Sequence, residues 1–445
     1  MSSAYISPLK AKARRRKRVF AIFGLTIFIA IGLGYWLTRP EKPIIRPTSS
    51  PQATSPKSGA TPVVNRVVGQ DPVISYTSEQ ALGLIKLTNP AFTGSVPSLK
   101  QQTFRYTMTD TDGKSATVYA RLFIPAQSSV NRMPIIGFAP GTTGIDDKCA
   151  ASVEVPVKRN WANYESHMLS YAAAGYAVVI TDYEGMRDAS RMHHYMVGVL
   201  EGRALLDAVR SINELPTAKG RVDPSSVILA GYSQGGHAAY WADKIATTYA
   251  PELTTKAVIG FGPVTDVQQT LTDIVRGANI LWFGPYVLYS YADWYSENYS
   301  VPTILNPPFA ANLSADIAKN CIDTNIGYWG NKDINKVYTK QFQDAMRQNS
   351  LAQYSPQLTI RLMQNQTADV KTDSRKLINH GKLDNVVLPG QSDIAFKRLC
   401  GLGNAVNYRL YADATHYSTM ARSYVDTVNW LKTVLAGAAP PSDCR

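Results

Sequence analysis

Short apolar segments alternate with amphipathic ones through the middle of the 445-residue chain, and this alternation restricts the fold more than any other feature. Apolar runs of strand length, such as IIGFAP and VILAGY, are typical of strands buried on both faces. The segments between them have helical periodicity. Such an alternation predicts an α/β fold, a mostly parallel, doubly wound sheet with helices on both sides. The predicted strands are 135–140, 176–183, 227–232 and 257–262, and the predicted helices are 161–174, 201–215 and 236–249.

The pattern extends in both directions from this middle part. A hairpin is predicted over 104–125, with its turn at 110–113. After residue 263 the alternation stops for roughly ninety residues, which is too long for an ordinary connection. We therefore predict a domain over 71–445 with a helical cap inserted at about 264–355. The alternation resumes with strand 376–380, helix 391–400, strand 406–412 and helix 418–436.

An aromatic-rich stretch, ILWFGPYVLYSYADWYSENY, lies inside the predicted cap at 280–299. Aromatic side chains at such density usually form the core of a small helical subdomain. They are also suited to line an apolar pocket or a lid beside a reactive centre. The two interpretations are compatible.

The N-terminus has the pattern of a membrane anchor. Residues 10–18 hold seven of the positive charges behind the formal net charge of +13, so a nucleic-acid partner is not indicated. The uncharged run at 19–37 has the length of a membrane-spanning helix, and basic residues before it favour a cytoplasmic N-terminus. A cleaved secretory signal is the alternative. We predict a cytoplasmic segment at 1–18, a transmembrane anchor at 19–37 and a Pro/Ser/Thr-rich tether at 38–70, so that the rest is exported to the periplasm or the cell exterior.

Four cysteines in an exported chain favour two disulfides. Four cysteines allow three connectivities. We favour Cys149 with Cys321 and Cys400 with Cys444, because the second pair would fix the C-terminus. No CxxC spacing indicates a zinc site.

The segment GYSQG, residues 231–235, stands between a predicted buried strand and a predicted helix. The pattern G-x-S-x-G in this context indicates a nucleophile elbow, a strained turn that exposes Ser233. Gly231 and Gly235 are needed because a Cβ there would collide with neighbouring backbone. An ordinary glycine-rich turn with an idle serine is the alternative.

A serine needs a base within hydrogen-bond reach, and a carboxylate to orient that base. In this fold the order along the chain is serine, acid, histidine. His416 follows the last predicted strand in ADATH and is the favoured base, whereas His380 lies at a strand end and is interpreted as structural. Chain order argues against four other histidines, His167, His193, His194 and His237.

Asp384 in HGKLDNVV is the favoured acid. It follows a predicted strand and precedes His416 by one helix and one strand, as the fold requires. Asp369 is the competitor, with a longer and less regular gap to the base. Two further aspartates fit less well, since Asp393 lies within a helix and Asp413 in the base's own loop.

The negative charge that develops on a carbonyl oxygen needs two backbone N–H donors. One is expected from Gln234, the residue after the serine. The other is expected from the loop APGTTG, where Gly141, Thr142 and Thr143 are the candidates and Thr142 is favoured. An ordinary glycine-rich turn is the alternative for this loop.

Taken together, several segments resemble the secretory lipases of fungi and actinobacteria, a family of α/β-hydrolases. The resemblance spans about residue 73 to the C-terminus. It implies a carboxylic-ester hydrolase with a helical cap, acting on acylglycerols or shorter esters, with Ser233, Asp384 and His416 as the catalytic triad. The segments are PGTTGIDDKC, TDYEG, HHYMVGVLEGRALLDAVR, GYSQGGHA, HGKLDNVV and DATH.

The predicted reaction passes through an acyl-enzyme and requires no metal and no organic cofactor. An acyltransferase of the cell envelope would use the same acyl-enzyme with an acceptor other than water. A non-catalytic binding module and a peptidase are the remaining alternatives, because fold alone does not determine function.

Overall fold

The computed structural model describes residues 66–128, 131–156, 161–188, 190–318, 320–330, 332–438 and 441–444. The predicted cytoplasmic segment, the predicted anchor at 19–37 and nearly all of the predicted tether lie outside these residues. Within them, no helix combines the length and the apolar character needed to cross a membrane.

The described residues form one mixed sheet of ten strands. The strands are β1 Val67–Gln70, β2 Ile74–Tyr76, β3 Leu99–Thr109, β4 Ser115–Pro125, β5 Met133–Ala139, β6 Ala177–Thr181, β7 Val222–Tyr232, β8 Thr255–Phe261, β9 Arg375–Gly381 and β10 Val406–Tyr411. Their spatial order is β1-β3-β4-β6-β5-β7-β8-β9-β10, and β2 also pairs with β3. From β6 to β10 in this order all neighbours are parallel. The predicted hairpin, β3 and β4, joins them antiparallel at β6.

The first strand corrects the predicted tether, which extended to residue 70. Val67 pairs with Tyr106 of β3. The N–H groups of Arg66 and Val67 also donate to the carboxylate of Glu214, over 2.9 and 2.8 Å. The composition of the preceding segment indicated an extended linker, but these residues gain their order from a distant sheet edge, and strand formation depends on such context.

Helices cover both faces of the sheet. Neighbouring residues of β7 point to opposite sides, so Leu229 packs in one apolar cluster with Leu205, and Ile228 in another with Leu431. The helices are α1 Ser78–Ile85, α2 Tyr164–Ala173, α3 Gly198–Ser211, α4 Gln234–Tyr249, α5 Val267–Ile274, α6 Phe283–Trp294, α7 Val301–Ile304, α8 Phe309–Ala318, α9 Ile322–Gly330, α10 Ile334–Val337, α11 Lys340–Arg347, α12 Leu351–Tyr354, α13 Pro356–Gln364, α14 Gly390–Gly401 and α15 Thr419–Leu435.

Helices α5 to α13 lie between β8 and β9 without an intervening strand. This helical insertion extends beyond the predicted end at about residue 355, because α13 continues it to Gln364. The aromatic stretch supplies α6, whose residues Phe283, Tyr286 and Tyr291 are buried. Most of its aromatic side chains therefore belong to the apolar core.

Both favoured disulfides form. Cys149–Cys321 connects the loop after β5 to the start of α9, and Cys400–Cys444 connects α14 to the C-terminal segment. The N–H of Asp443 donates to the carbonyl of Val406 over 2.8 Å. The second disulfide thus holds the C-terminus along the outer strand, β10.

Candidate active site

The carboxyl ends of β5, β7, β9 and β10 lie at one edge of the parallel sheet, where α/β proteins generally bind ligands. Four predicted elements of the site follow these strands directly. The loop with Thr142 follows β5, Ser233 follows β7, Asp384 follows β9 and His416 follows β10.

Ser233 occupies a strained turn between β7 and α4. Its φ of 56° and ψ of −114° lie outside the regions that ordinary residues favour. Two backbone hydrogen bonds to the loop after β8 hold this turn. The N–H of Ser233 donates to the carbonyl of Phe261 over 3.0 Å, and the carbonyl of Ser233 accepts from the N–H of Val264 over 3.1 Å. Strain of this kind persists where the surrounding structure enforces it, and it is concentrated at functional sites.

The two flanking glycines are required by close backbone contacts. A Cβ on Gly231 would lie 1.9 Å from the carbonyl oxygen of Gly235. A Cβ on Gly235 would lie 1.8 Å from the carbonyl oxygen of Ala139, at the end of β5. Any other residue at either position would push β7, α4 and the β5 loop apart.

His416 and Asp384 form a buried pair. Nδ1 of His416 lies 2.7 Å from Oδ2 of Asp384. An ionised carboxylate only accepts hydrogen bonds, so Nδ1 carries the proton and Nε2 keeps a lone pair with which to accept one. The pair lies beside the serine turn, because a Cβ on Gly262, next to Phe261, would be 3.1 Å from His416 Nδ1 and 3.2 Å from Asp384 Oδ2.

Four donors hold the Asp384 carboxylate. Oδ1 accepts the N–H groups of Val386 and Val387, each over 2.9 Å, and Oδ2 accepts from His416 and His380. Burial alone would raise the pKa of Asp384, but the electrostatic attraction of His416 and the hydrogen bonds from both histidines outweigh it and hold this pKa well below its usual range. The acid therefore stays ionised and able to orient the histidine.

His380 is a second partner of the acid that the sequence analysis had treated only as structural. Its Nε2 lies 3.1 Å from Asp384 Oδ2 and 2.9 Å from the carbonyl oxygen of Val387. Both of these atoms accept, so Nε2 carries a proton, while Nδ1 lies 2.7 Å from the Ser392 hydroxyl. The four-residue spacing between His380 and Asp384 in HGKLD was the sequence signal that could have indicated this contact.

The competing acids have other partners. Asp369 pairs with Lys244 Nζ over 2.9 and 3.0 Å. Asp413 pairs with Arg422 over 3.0 Å. Both carboxylates are therefore engaged away from His416. Among the histidines set aside, His167 is buried, and burial lowers its pKa to about 4.

The loop after β5 narrows the choice of the second N–H donor. The N–H of Gly141 already donates to the hydroxyl of Tyr164 over 2.7 Å. Thr142 is tied through its side chain instead, with Oγ1 2.8 Å from the hydroxyl of Tyr195. Gln234 is the first residue of α4, and N–H groups in the first turn of a helix have no acceptor within that helix. Thr142 and Gln234 remain the favoured pair.

The side chain of Gln234 belongs to a buried polar network that the sequence did not predict. The side-chain Nε2 of Gln234 donates to Glu201 over 2.7 Å and to His193 Nε2 over 3.0 Å. Glu201 also accepts from His237 Nδ1 over 2.6 Å, and His237 Nε2 lies 2.7 Å from the carbonyl oxygen of Asn365. His237 therefore connects Glu201 to the backbone of Asn365 within this network.

A sheet of this order, with a serine in a strained strand-to-helix turn and a histidine–aspartate pair at the same edge, defines the α/β-hydrolase fold. The family model of the secretory lipases matches residues 155–443, well over half of the chain. The chain belongs to the secretory lipase family.

Curated relatives with similar sequences include Lipase A of Moesziomyces aphidis, 27% identical over 203 residues. That match covers 42% of this chain but only 40% of the relative, so the chain spans less than half of that relative's length. Lipase 1 of Candida albicans is 21% identical over 345 residues, which cover 76% of this chain and 72% of the relative.

Among solved structures, the rice cell wall degrading esterase LipA of Xanthomonas oryzae superposes with a TM-score of 0.67. The superposition covers 85% of this chain and 99% of the esterase, at 19% sequence identity. At this identity the likeness concerns the fold.

Proposed function

We propose that the protein is a serine carboxylic-ester hydrolase, with Ser233 as nucleophile, His416 as base and Asp384 as the residue that orients the base. The observation that carries this proposal is the strained serine turn beside a histidine whose Nδ1 is bound, over 2.7 Å, to an ionised aspartate. Family membership supports the same activity.

In the proposed reaction, Ser233 Oγ attacks the ester carbonyl carbon while its proton passes to His416 Nε2. The tetrahedral oxyanion accepts hydrogen bonds from the N–H groups of Gln234 and Thr142. When the intermediate collapses, the ester C–O bond breaks and the alcohol leaves with the proton from His416. Water then loses a proton to the same nitrogen and attacks the acyl carbon. The bond between this carbon and Ser233 Oγ breaks, His416 returns the proton to Oγ, and the carboxylic acid leaves.

The substrate is proposed to be an acylglycerol or a shorter ester with an apolar acyl chain. Large apolar side chains stand next to the acid and the base in sequence and face solvent, with Leu383 57% exposed and Tyr417 62% exposed. Exposed apolar side chains beside the acid and the base favour contact with an apolar ligand.

We further propose that the enzyme is anchored in a membrane by residues 19–37 and acts on the exported side. The basic residues before the apolar run support this orientation. Two disulfides support an oxidising compartment for the catalytic domain.

The purified chain in detergent, treated with a fluorophosphonate probe and with p-nitrophenyl esters of increasing chain length, tests the activity. We expect labelling and hydrolysis, with Ser233→Ala lowering kcat on the order of 10⁴-fold or more and abolishing labelling. The chain-length profile distinguishes an esterase from a lipase.

Ser423→Ala is the matched control, because it also removes a buried hydroxyl, one that donates to the carbonyl of Thr419 over 2.7 Å. It should retain both activities. A folded parent chain that neither reacts with the probe nor hydrolyses any ester would rule out the proposal.

A further inference from the structure

Three buried aromatic residues between β6 and α3, Tyr183, His193 and Tyr195, lie against both sides of the candidate oxyanion hole. The backbone that carries them is tightly folded, because a Cβ on Gly185 would lie 2.2 Å from the carbonyl oxygen of Met192. Gly185 has a φ of 81° and Met196, directly after Tyr195, a φ of 59°. We call Tyr183, His193 and Tyr195 the brace residues.

Two brace residues hold the loop after β5. The hydroxyl of Tyr183 donates to the carbonyl of Pro140 over 2.5 Å. The hydroxyl of Tyr195 lies 2.8 Å from Thr142 Oγ1. These contacts fix the loop on either side of Gly141, and they therefore determine where the N–H of Thr142 points.

The third brace residue, His193, contacts the side chain of Gln234, whose backbone N–H is the other proposed donor. The His193 ring stacks on the Tyr183 ring, with centroids 5.0 Å apart and planes inclined by 10°. His193 Nδ1 lies 3.2 Å from the carbonyl oxygen of Glu184, which only accepts, so Nδ1 carries a proton. Nε2 is then free to accept from the side chain of Gln234 over 3.0 Å.

We propose that the brace residues position both N–H donors of the oxyanion hole, with Tyr183 and Tyr195 acting on Thr142 and His193 acting on Gln234. This inference rests on the proposed function. None of the three residues is assigned contact with the reacting atoms, so they are positioning residues. Their role is to keep two donors, one from the loop after β5 and one from the first turn of α4, at one fixed separation.

Such a separation matters because an oxyanion hole stabilises charge only if its donors are oriented before the charge develops. Packing alone would require only the rings of the tyrosines. The hydroxyls bond instead to the loop that carries Thr142. The ring of Tyr195 also contacts Phe283 and Tyr286 of α6, with centroids 5.8 and 5.4 Å away, so the brace joins the cap to the oxyanion loop.

Tyr183→Phe and Tyr195→Phe remove one hydroxyl each and keep the ring. Gln234→Met keeps the backbone N–H but removes the side-chain bonds to His193 and Glu201. For each variant we expect kcat and kcat/KM on a p-nitrophenyl ester to fall together by about tenfold, less than the 10²–10³-fold loss of a whole donor, while KM changes less than about twofold. The inhibition constant of an alkylboronic acid, which forms a tetrahedral adduct with the serine, should rise by the same factor.

Tyr424→Phe is the matched control, because this buried hydroxyl also donates to a backbone carbonyl, that of Ser170, over 2.8 Å. It should lower the melting temperature as much as the brace variants do but leave kcat within about twofold of the parent. The contrary result is that all three variants match Tyr424→Phe in kcat and boronate binding while Ser233→Ala is inactive. That result would overturn the positioning role of the brace residues and leave the hydrolase proposal intact. An inactive parent chain would overturn both.

Discussion

Gly262 shows how little space surrounds the histidine–aspartate pair. It has a φ of 50°, a region that favours glycine, and it follows Phe261, which binds the N–H of Ser233. A methyl group there would lie 3.1 Å from His416 Nδ1 and 3.2 Å from Asp384 Oδ2. These are closer contacts than a Cβ normally makes, so the pair would have to move.

We predict that Gly262→Ala lowers the free energy of unfolding by about 1–2 kcal/mol, the cost of the left-handed backbone. We also predict a loss of kcat of about tenfold, because the displaced histidine no longer faces the serine correctly. Urea unfolding and ester hydrolysis measure the two effects separately. Gly220→Ala is the matched control, because Gly220 has a φ of 73° and open space where a Cβ would stand. Equal kcat losses in both variants would contradict the prediction.

At the level of elements, the two disulfides have different neighbours. Cys321 lies beside the loop that carries Thr142, where its backbone forms an isolated antiparallel β-bridge with Gly144. The N–H of the next residue, Ile322, donates to the carbonyl of Thr143 over 2.9 Å. Cys444 instead lies in the segment that runs along β10. The first disulfide therefore joins the cap to the candidate site, and the second secures a sheet edge.

We predict that Cys400→Ser with Cys444→Ser lowers the free energy of unfolding by up to about 4 kcal/mol, from the entropy of the loop that the disulfide closes. The value of kcat should remain within about twofold of the parent. Cys149→Ser with Cys321→Ser should lower stability at least as much and also lower kcat, because the loop with Thr142 loses its covalent link to the start of α9. Thermal unfolding and ester hydrolysis on both double variants provide the measurement. Equal kcat values in the two double variants would contradict the view that only the first disulfide supports the candidate site.

For the molecule as a whole, the parallel sheet was predictable because its strands are buried on both faces and form continuous apolar runs such as 227–232. The strand β1 was not, because its order comes from pairing with Tyr106, and no local pattern marks such a partner. The end of the cap was placed too early for a similar reason. The amphipathic helix α13 packs against α5 and α12 of the cap.

In the candidate site, chain order and strand ends were enough to select Ser233, Asp384 and His416, which the structure brings to one edge of the sheet. Their catalytic roles stay a prediction. Chain order set His193 aside as a base, but it could not indicate the contact of His193 with Gln234, because the two residues are 41 positions apart. Contacts of this kind depend on how loops fold over one another, and the sequence carries no periodic signal for them.

The start of the folded chain gives the last prediction, because Arg66 and β1 lie before the predicted domain boundary at 71. Arg66 Nη1 lies 2.9 Å from Oδ1 of Asp207, which is fully buried. Burial raises the pKa of Asp207, and Arg66 is the largest of the influences that lower it. A deletion that removes Arg66 therefore raises this pKa further and penalises the ionised form.

We predict that deleting residues 1–59 leaves the unfolding free energy of the catalytic domain unchanged, whereas deleting residues 1–72 lowers it by about 3 kcal/mol, through the lost ion pair and the lost bonds to Glu214. The shorter fragment should lose more unfolding free energy at pH 8 than at pH 4, because Asp207 is then ionised without Arg66. A carboxyl group with a raised pKa in the folded state destabilises the fold only when the pH is high enough to ionise it. Arg66→Gln in the longer fragment separates the ion pair from the strand. Urea unfolding at both pH values measures each contribution, and equal stability of the two fragments would mean that β1 is dispensable.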